Sequence, residues 1–84
     1  YITDDNPRNE NPKQIRNVLK KFISKNKGFD FGSRSLAIRN AIRNADPQEI
    51  ILIAGKGHET TQQTGDTRRA FDDRVVARTA LEAL

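Results

Sequence analysis

The apolar pattern of these 84 residues predicts an α/β fold in the order strand, helix, helix, strand, hairpin, helix. Three observations carry that expectation. Residues 50–54, Ile-Ile-Leu-Ile-Ala, form an unbroken apolar run, as a parallel-sheet strand covered on both faces would. Two stretches, one opening at Pro12 and one after Ser33, repeat apolar residues at helical spacing. Gly65-Asp66, between two short β-prone stretches, supplies the turn of a hairpin.

Taken in order, Tyr1-Ile2-Thr3 is short, apolar and β-prone, and reads as the end of a strand. A polar loop follows over residues 4–11, punctuated by Pro7. Asn11-Pro12 starts the first helix, with Asn at the N-cap and Pro at the first position, where its missing N–H costs nothing. Ile15, Val18, Leu19, Phe22 and Ile23 give it one apolar stripe, and Asn26-Lys27-Gly28 gives the stop. Ser33 caps the second helix, whose inner face is Ala37, Ile38, Ala41, Ile42 and Ala45 before Asp46-Pro47 ends it. The strand at 50–54 is closed by Gly55-Lys56-Gly57, and residues 60–63 and 68–71 form the hairpin arms. Asp72 caps the last helix, with Phe71 and Val76 set for a hydrophobic staple. Val76, Ala77, Ala80, Leu81 and Leu84 are its expected buried side.

Composition narrows the function classes. At 35 % apolar and 31 % charged, with no Cys and a single His, the chain has neither a disulfide nor a metal staple. No segment approaches the ~20 apolar residues a membrane span needs, and no signal-peptide pattern is present. A soluble cytosolic protein is expected. The chain has no Met and starts on an apolar pair, so it reads as a piece of a longer protein. Two strands are too few for a doubly wound sheet. The remaining strands are expected upstream of Tyr1, making this the C-terminal part of a Rossmann-like domain.

Charge is uneven. Residues 1–45 carry a balance of +6 and residues 46–84 a balance of −2, with six Lys/Arg and no acid between Lys13 and Lys27. Such a face attracts phosphate or an acidic partner, or is simply solvated. A nucleic-acid-binding module is one alternative it raises. No aromatic platform is interleaved with these charges, and no helix-turn-helix or zinc-finger signature accompanies them.

In open α/β sheets, ligands bind beyond the carboxyl ends of the strands. Two polar loops fall there: Asp4-Asp5-Asn6-Pro7-Arg8 and Gly55-Lys56-Gly57-His58-Glu59. With parallel strands, both open on the same rim. Pro7 fixes its own φ and drives Asn6 extended, so Asn6 and Arg8 project from a stiff backbone. An Arg fork suits a carboxylate or phosphate, while local chemistry alone also allows an ordinary Asn-Pro turn with a solvated Arg. In the second loop Gly55 and Gly57 allow close backbone approach, and Glu59 can pair with an ammonium. Lys56 is placed either to reach a phosphate or to face solvent. A phosphate-binding module is therefore a second alternative, although the string is not a Walker loop.

Asp5-Asn6-Pro7-Arg8, Leu52-Ile53-Ala54-Gly55-Lys56-Gly57-His58-Glu59 and Phe71-Asp72-Asp73-Arg74 together resemble the C-terminal domain of the Mur ligases. Within that family they are similar to the branch that adds meso-diaminopimelate to UDP-N-acetylmuramoyl-L-alanyl-D-glutamate. Ser33 stands where that family is expected to carry Asp, and Thr61 where it is often aromatic. The resemblance implies a cytoplasmic amide ligase of peptidoglycan synthesis that uses ATP and magnesium, held mainly by regions outside this chain. ATP would activate the D-glutamate carboxylate as an acyl phosphate, which the incoming amine attacks. It further implies that Asn6 and Arg8 contact diaminopimelate, with Asp5 and Pro7 shaping their loop, and that Gly55 and Glu59 contact it from the second loop. The implied partners are that amino acid, the UDP-linked dipeptide and the upstream domains of the same chain, with no nucleic acid, membrane or metal on these residues. No catalytic residue is expected here, and the stretch alone is expected to be inactive.

Overall fold

The computed structural model describes residues 1–24 and 27–84. Strand β1 (Ile2–Thr3) leads through the polar loop to helix α1 (Pro12–Lys20). The Asn11 side chain accepts from the backbone N–H groups of Lys13 and Gln14 at 2.9 and 3.2 Å, so two of the helix's orphan donors are satisfied. The last turn tightens: Lys21, Phe22 and Ile23 each donate to the residue three back, and Phe22 and Ile23 lie past the helix. Phe22 is 84 % exposed, and Val18 and Leu19 are exposed as well, so the α1 stripe has little cover. Asn26, named in the expected stop, lies outside the described residues.

Strand β2 (Asp30–Phe31) pairs in parallel with β1, Ile2 against Asp30 and Thr3 against Phe31. It was not expected, since two residues carry no periodicity. Its pairing is tertiary: Tyr1 packs between Phe29 and Phe31 with ring centroids 5.4 and 5.6 Å apart. Arg16 of α1 bridges Asp4 at 2.6 Å and Asp30 at 2.7 Å, and Lys20 reaches Asp30 at 3.2 Å. Burial pushes the Asp30 carboxyl up, but hydrogen bonds from Lys20 and Arg16 outweigh it and leave its pKa lowered. Two cations of the basic stretch thus serve the fold.

Helix α2 (Arg34–Asn44) is capped by Ser33, whose hydroxyl accepts from Leu36 N–H, and buries Ala37, Ile38 and Ile42. Strands β3 (Thr61–Thr64) and β4 (Thr67–Ala70) form an antiparallel hairpin around Gly65-Asp66, with Thr64 opposite Thr67. Gly65 takes φ +58, which the two-residue turn requires. Helix α3 (Asp73–Glu82) is capped by Asp72, which accepts from Arg74 N–H at 3.0 Å. The core joins α2 to α3: Ile38, Ile42 and Ala80 at its centre, with Ile53, Phe71, Val76 and Ala77 packed around them. Leu81 and Leu84 are not part of it and stand exposed.

The α/β class is confirmed, but residues 50–54 are not a strand. Their backbone enters no backbone–backbone hydrogen bond among the described residues, and Ile50 and Leu52 are 97 % and 86 % exposed. An apolar run states a demand for burial, but a strand is made by ladder hydrogen bonds, and this run makes none among the described residues. Thr3, Ile51 and Leu52 instead line one groove. Only Ile53 of the run packs against the core.

Candidate functional site

The two rim loops meet. Asn6 Nδ2 donates to Glu59 Oε1 at 3.4 Å across the gap between them. Asp4, Asp5, Asn6, Pro7, Arg8 and Glu59 line one cavity of about 170 Å³, closed at the α1 side by Ile15. Five of the six expected site residues therefore lie on one wall system. Gly55 lines the neighbouring hollow, which shares Asp5 with the first.

The first loop is held by the hairpin. Arg8 N–H donates to Gln63 O at 2.9 Å, Gly65 N–H donates to Arg8 O, and Gln63 N–H donates to Asn6 Oδ1 at 2.8 Å. These bonds hold Arg8 at φ +52, a left-handed conformation unfavourable for a side-chain-bearing residue. Gln62, 3 % exposed, donates from Nε2 to the Asp5 and Asp4 carbonyls at 2.9 and 3.3 Å, and Arg69 donates to its Oε1 at 2.9 Å. Sequence reasoning missed Gln62 and Gln63. The available signal was strand alternation, which sends one Gln of Thr-Gln-Gln-Thr inward.

What the loop leaves free is chemically specific. Among the described residues the Arg8 guanidinium makes no hydrogen bond or ion pair, and its side chain is exposed. Among the described residues the Glu59 carboxylate accepts only the long hydrogen bond from Asn6. A cation and an anion thus share one cavity without neutralising each other. Among the described residues Asp5 Oδ1 is buried without a hydrogen-bond partner, as is Thr3 Oγ1.

The second loop differs from expectation at Lys56. It is 2 % exposed, donates from Nζ to the Thr61 carbonyl and lies 5.9 Å from the Phe71 ring centroid. It neither faces solvent nor reaches outward, which removes the cation that a phosphate-binding loop needs. His58 is exposed. Among the described residues no three His, Cys, Asp or Glu side chains are grouped to hold a metal ion. With Lys56 turned inward, these residues do not fit a magnesium nucleotide. Gly55 has φ +111, and a Cβ there would sit 3.0 Å from Asp5 Oδ2. Gly55→Ala is accordingly expected to destabilise the fold by about 1–3 kcal/mol, read as a lowered urea midpoint of the intact protein.

Arg34 and Asp73 sit beneath both loops, 3 % and 5 % exposed, joined by two bonds of 2.7 Å. Hydrogen bonding to Asp73 raises the Arg34 pKa, and burial opposes it without prevailing. Neither residue was expected at the site, although Asp73 belongs to the Phe-Asp-Asp-Arg string.

Residues 1–57 match the family model described as Mur ligase, glutamate ligase domain. The chain is 47 % identical over 77 residues to the UDP-N-acetylmuramoyl-L-alanyl-D-glutamate–2,6-diaminopimelate ligase of Rickettsia montanensis, covering 92 % of this chain and 16 % of that protein. It is 46 % identical over 83 residues to the ligase of the same name from Geobacillus thermodenitrificans, covering 96 % and 17 %. A solved structure of a ligase with that name superposes with a TM-score of 0.85 at 38 % identity, over 96 % of this chain and 17 % of that one. The chain spans about one sixth of the relatives it matches. Fold, loop strings and relatives agree, and the chain belongs to the Mur ligase family, within its C-terminal domain.

Proposed function

We propose that this stretch holds the incoming amino acid of a peptidoglycan-building amide ligase, and that the amino acid is meso-diaminopimelate. The carrying observation is the cavity in which unpaired Arg8 and Glu59 face the same space beside Asn6. Meso-diaminopimelate is a lysine with one more carboxylate beside its distal amine. Arg8 offers that carboxylate a planar fork, and Glu59 offers the neighbouring ammonium an acceptor. The names of the relatives in Rickettsia and Geobacillus support the same substrate.

The role of these residues is positioning. They fix the distal end, so the reacting amine is presented at a set place, and such orientation accounts for a large share of many enzymatic rate enhancements. The activated UDP-linked dipeptide, and with it ATP and magnesium, fall to other parts of the protein, working in the cytoplasm. No residue of this chain is assigned a proton transfer.

Lysine tests the proposal. It lacks the distal carboxylate and would leave Arg8 unpaired on binding. Sites that hydrogen-bond a substrate group reject analogues lacking it by up to ~10⁴–10⁵-fold. The intact protein is expected to favour meso-diaminopimelate over L-lysine by at least ~10³-fold in kcat/KM. Equal values would remove the reading.

A further inference from the structure

The two rim loops must keep a fixed separation to span one ligand. The hairpin that follows Glu59 holds the first loop through the Arg8–Gln63 backbone bond, but no backbone–backbone bond ties the Ala54–Gly55 end of the second loop to it among the described residues. Residues 50–54 have no ladder bond to β1 or to any described segment. Among the described residues, the side-chain hydrogen bonding between the two loops is a single 3.4 Å bond from Asn6 to Glu59.

Arg34 supplies a tie from below. Its Nη1 donates to the Asp4 carbonyl at 3.1 Å, one residue before Asp5 in the first loop. Its Nη2 donates to the Ala54 carbonyl at 3.1 Å, one residue before Gly55 in the second. The same side chain is gripped by Asp73 through Nε and Nη2, both at 2.7 Å. A planar guanidinium with donors along three directions meets all these acceptors at once, and a lysine ammonium cannot. Asp73 is the first residue of α3, beside its cap Asp72, so its carboxylate is anchored to the helix that packs against α2. Arg34 is itself the first residue of α2. The two loops are thus referenced to the α2–α3 core through one buried side chain.

We infer that Arg34, oriented by Asp73, is a positioning residue that sets the spacing between the two substrate loops, and through it the fit of the amino-acid substrate. The inference rests on the proposed function of the cavity. Neither residue lines the cavity of Arg8 and Glu59. Their effect is confined to where Arg8, Gly55 and Glu59 stand.

The test uses the intact ligase with Arg34→Lys and Asp73→Asn, each assayed for the KM of all three substrates. Small misplacement of binding groups costs up to ~10²-fold, so KM for meso-diaminopimelate is expected to rise ~10-fold or more in Arg34→Lys. KM for the nucleotide and for the UDP-linked dipeptide should stay within about twofold, because the displacement is local to these loops. Asp73→Asn keeps the shape and part of the hydrogen bonding, and should show the same selective rise at smaller size. A purely structural pair would lower thermal stability and the active fraction while leaving the diaminopimelate KM unchanged in the molecules that fold. That result overturns the inference, as does loss of the folded state in both variants. Arg8→Ala is run alongside: if its KM rises and those of the two variants do not, only the positioning role is lost. If all three leave it unchanged, the cavity itself is misassigned.

Discussion

Arg8→Ala in the intact protein is expected to raise the KM for meso-diaminopimelate about 10- to 100-fold. Hydrogen bonds to charged groups contribute about 1.5–3 kcal/mol each, and a factor of ten corresponds to about 1.4 kcal/mol. The loss should fall on binding and not on the fold, because the Arg8 side chain is exposed and its guanidinium makes no hydrogen bond or ion pair among the described residues. Its backbone bonds to Gln63 and Gly65 survive the substitution. Discrimination against lysine should collapse in parallel, since the side chain that lysine leaves unpaired is then absent. Arg8→Lys should recover part of the affinity, as a point charge without the planar fork. Steady-state kinetics with both amino acids checks each statement, and an unchanged KM contradicts the role given to Arg8.

The largest effect on stability is expected at the buried ion pair. Arg34→Leu removes the partner of an Asp73 side chain that is 7 % exposed, together with the donors to Asp4 and Ala54. Leaving one member of a buried pair uncompensated costs about 3–5 kcal/mol, several times an exposed pair such as Arg74–Asp72. Replacing both members by Leu should cost less than Arg34→Leu alone, because no charge then remains buried. Urea unfolding of the single and double variants reads this directly. A cost below about 1 kcal/mol for Arg34→Leu would show that the pair is solvated in the intact protein.

Much of the fold was legible where the chemistry is local. Asn11-Pro12, Ser33 and Asp72 each mark a helix start because capping satisfies neighbouring backbone donors. Gly65-Asp66 set the hairpin register because a two-residue turn needs a positive φ, which Gly65 supplies. Non-local features were not legible. The pairing of Asp30-Phe31 with β1 depends on Tyr1 and Arg16, both distant in sequence from Asp30. The run at 50–54 shows the opposite error. Its apolar character states a demand for cover on both faces, while a strand depends on ladder hydrogen bonds, which this run does not make among the described residues.

The site divides along the same line. Local chemistry leaves Asp5-Asn6-Pro7-Arg8 open to an ordinary turn, and it is the resemblance that marks these residues and Glu59; the structure gathers them on one cavity. The residues that hold those loops did not stand out. Gln62 acts on carbonyls 57 and 58 positions away, and Arg34 on an acid 39 positions away. Lys56, between two glycines, leaves a phosphate contact and a solvent-facing side chain equally open, and it does neither: it fastens its loop to Thr61. A basic residue in a glycine-rich loop is ambiguous until its burial is known.

The central claim, that the cavity between the two loops is the seat of the amino acid, is tested most directly by a structure of the intact protein with meso-diaminopimelate bound. The account predicts the distal carboxylate on the Arg8 guanidinium and the distal ammonium at Glu59, each at about 3 Å. Diaminopimelate bound elsewhere, with Arg8 and Glu59 both facing solvent, would contradict it.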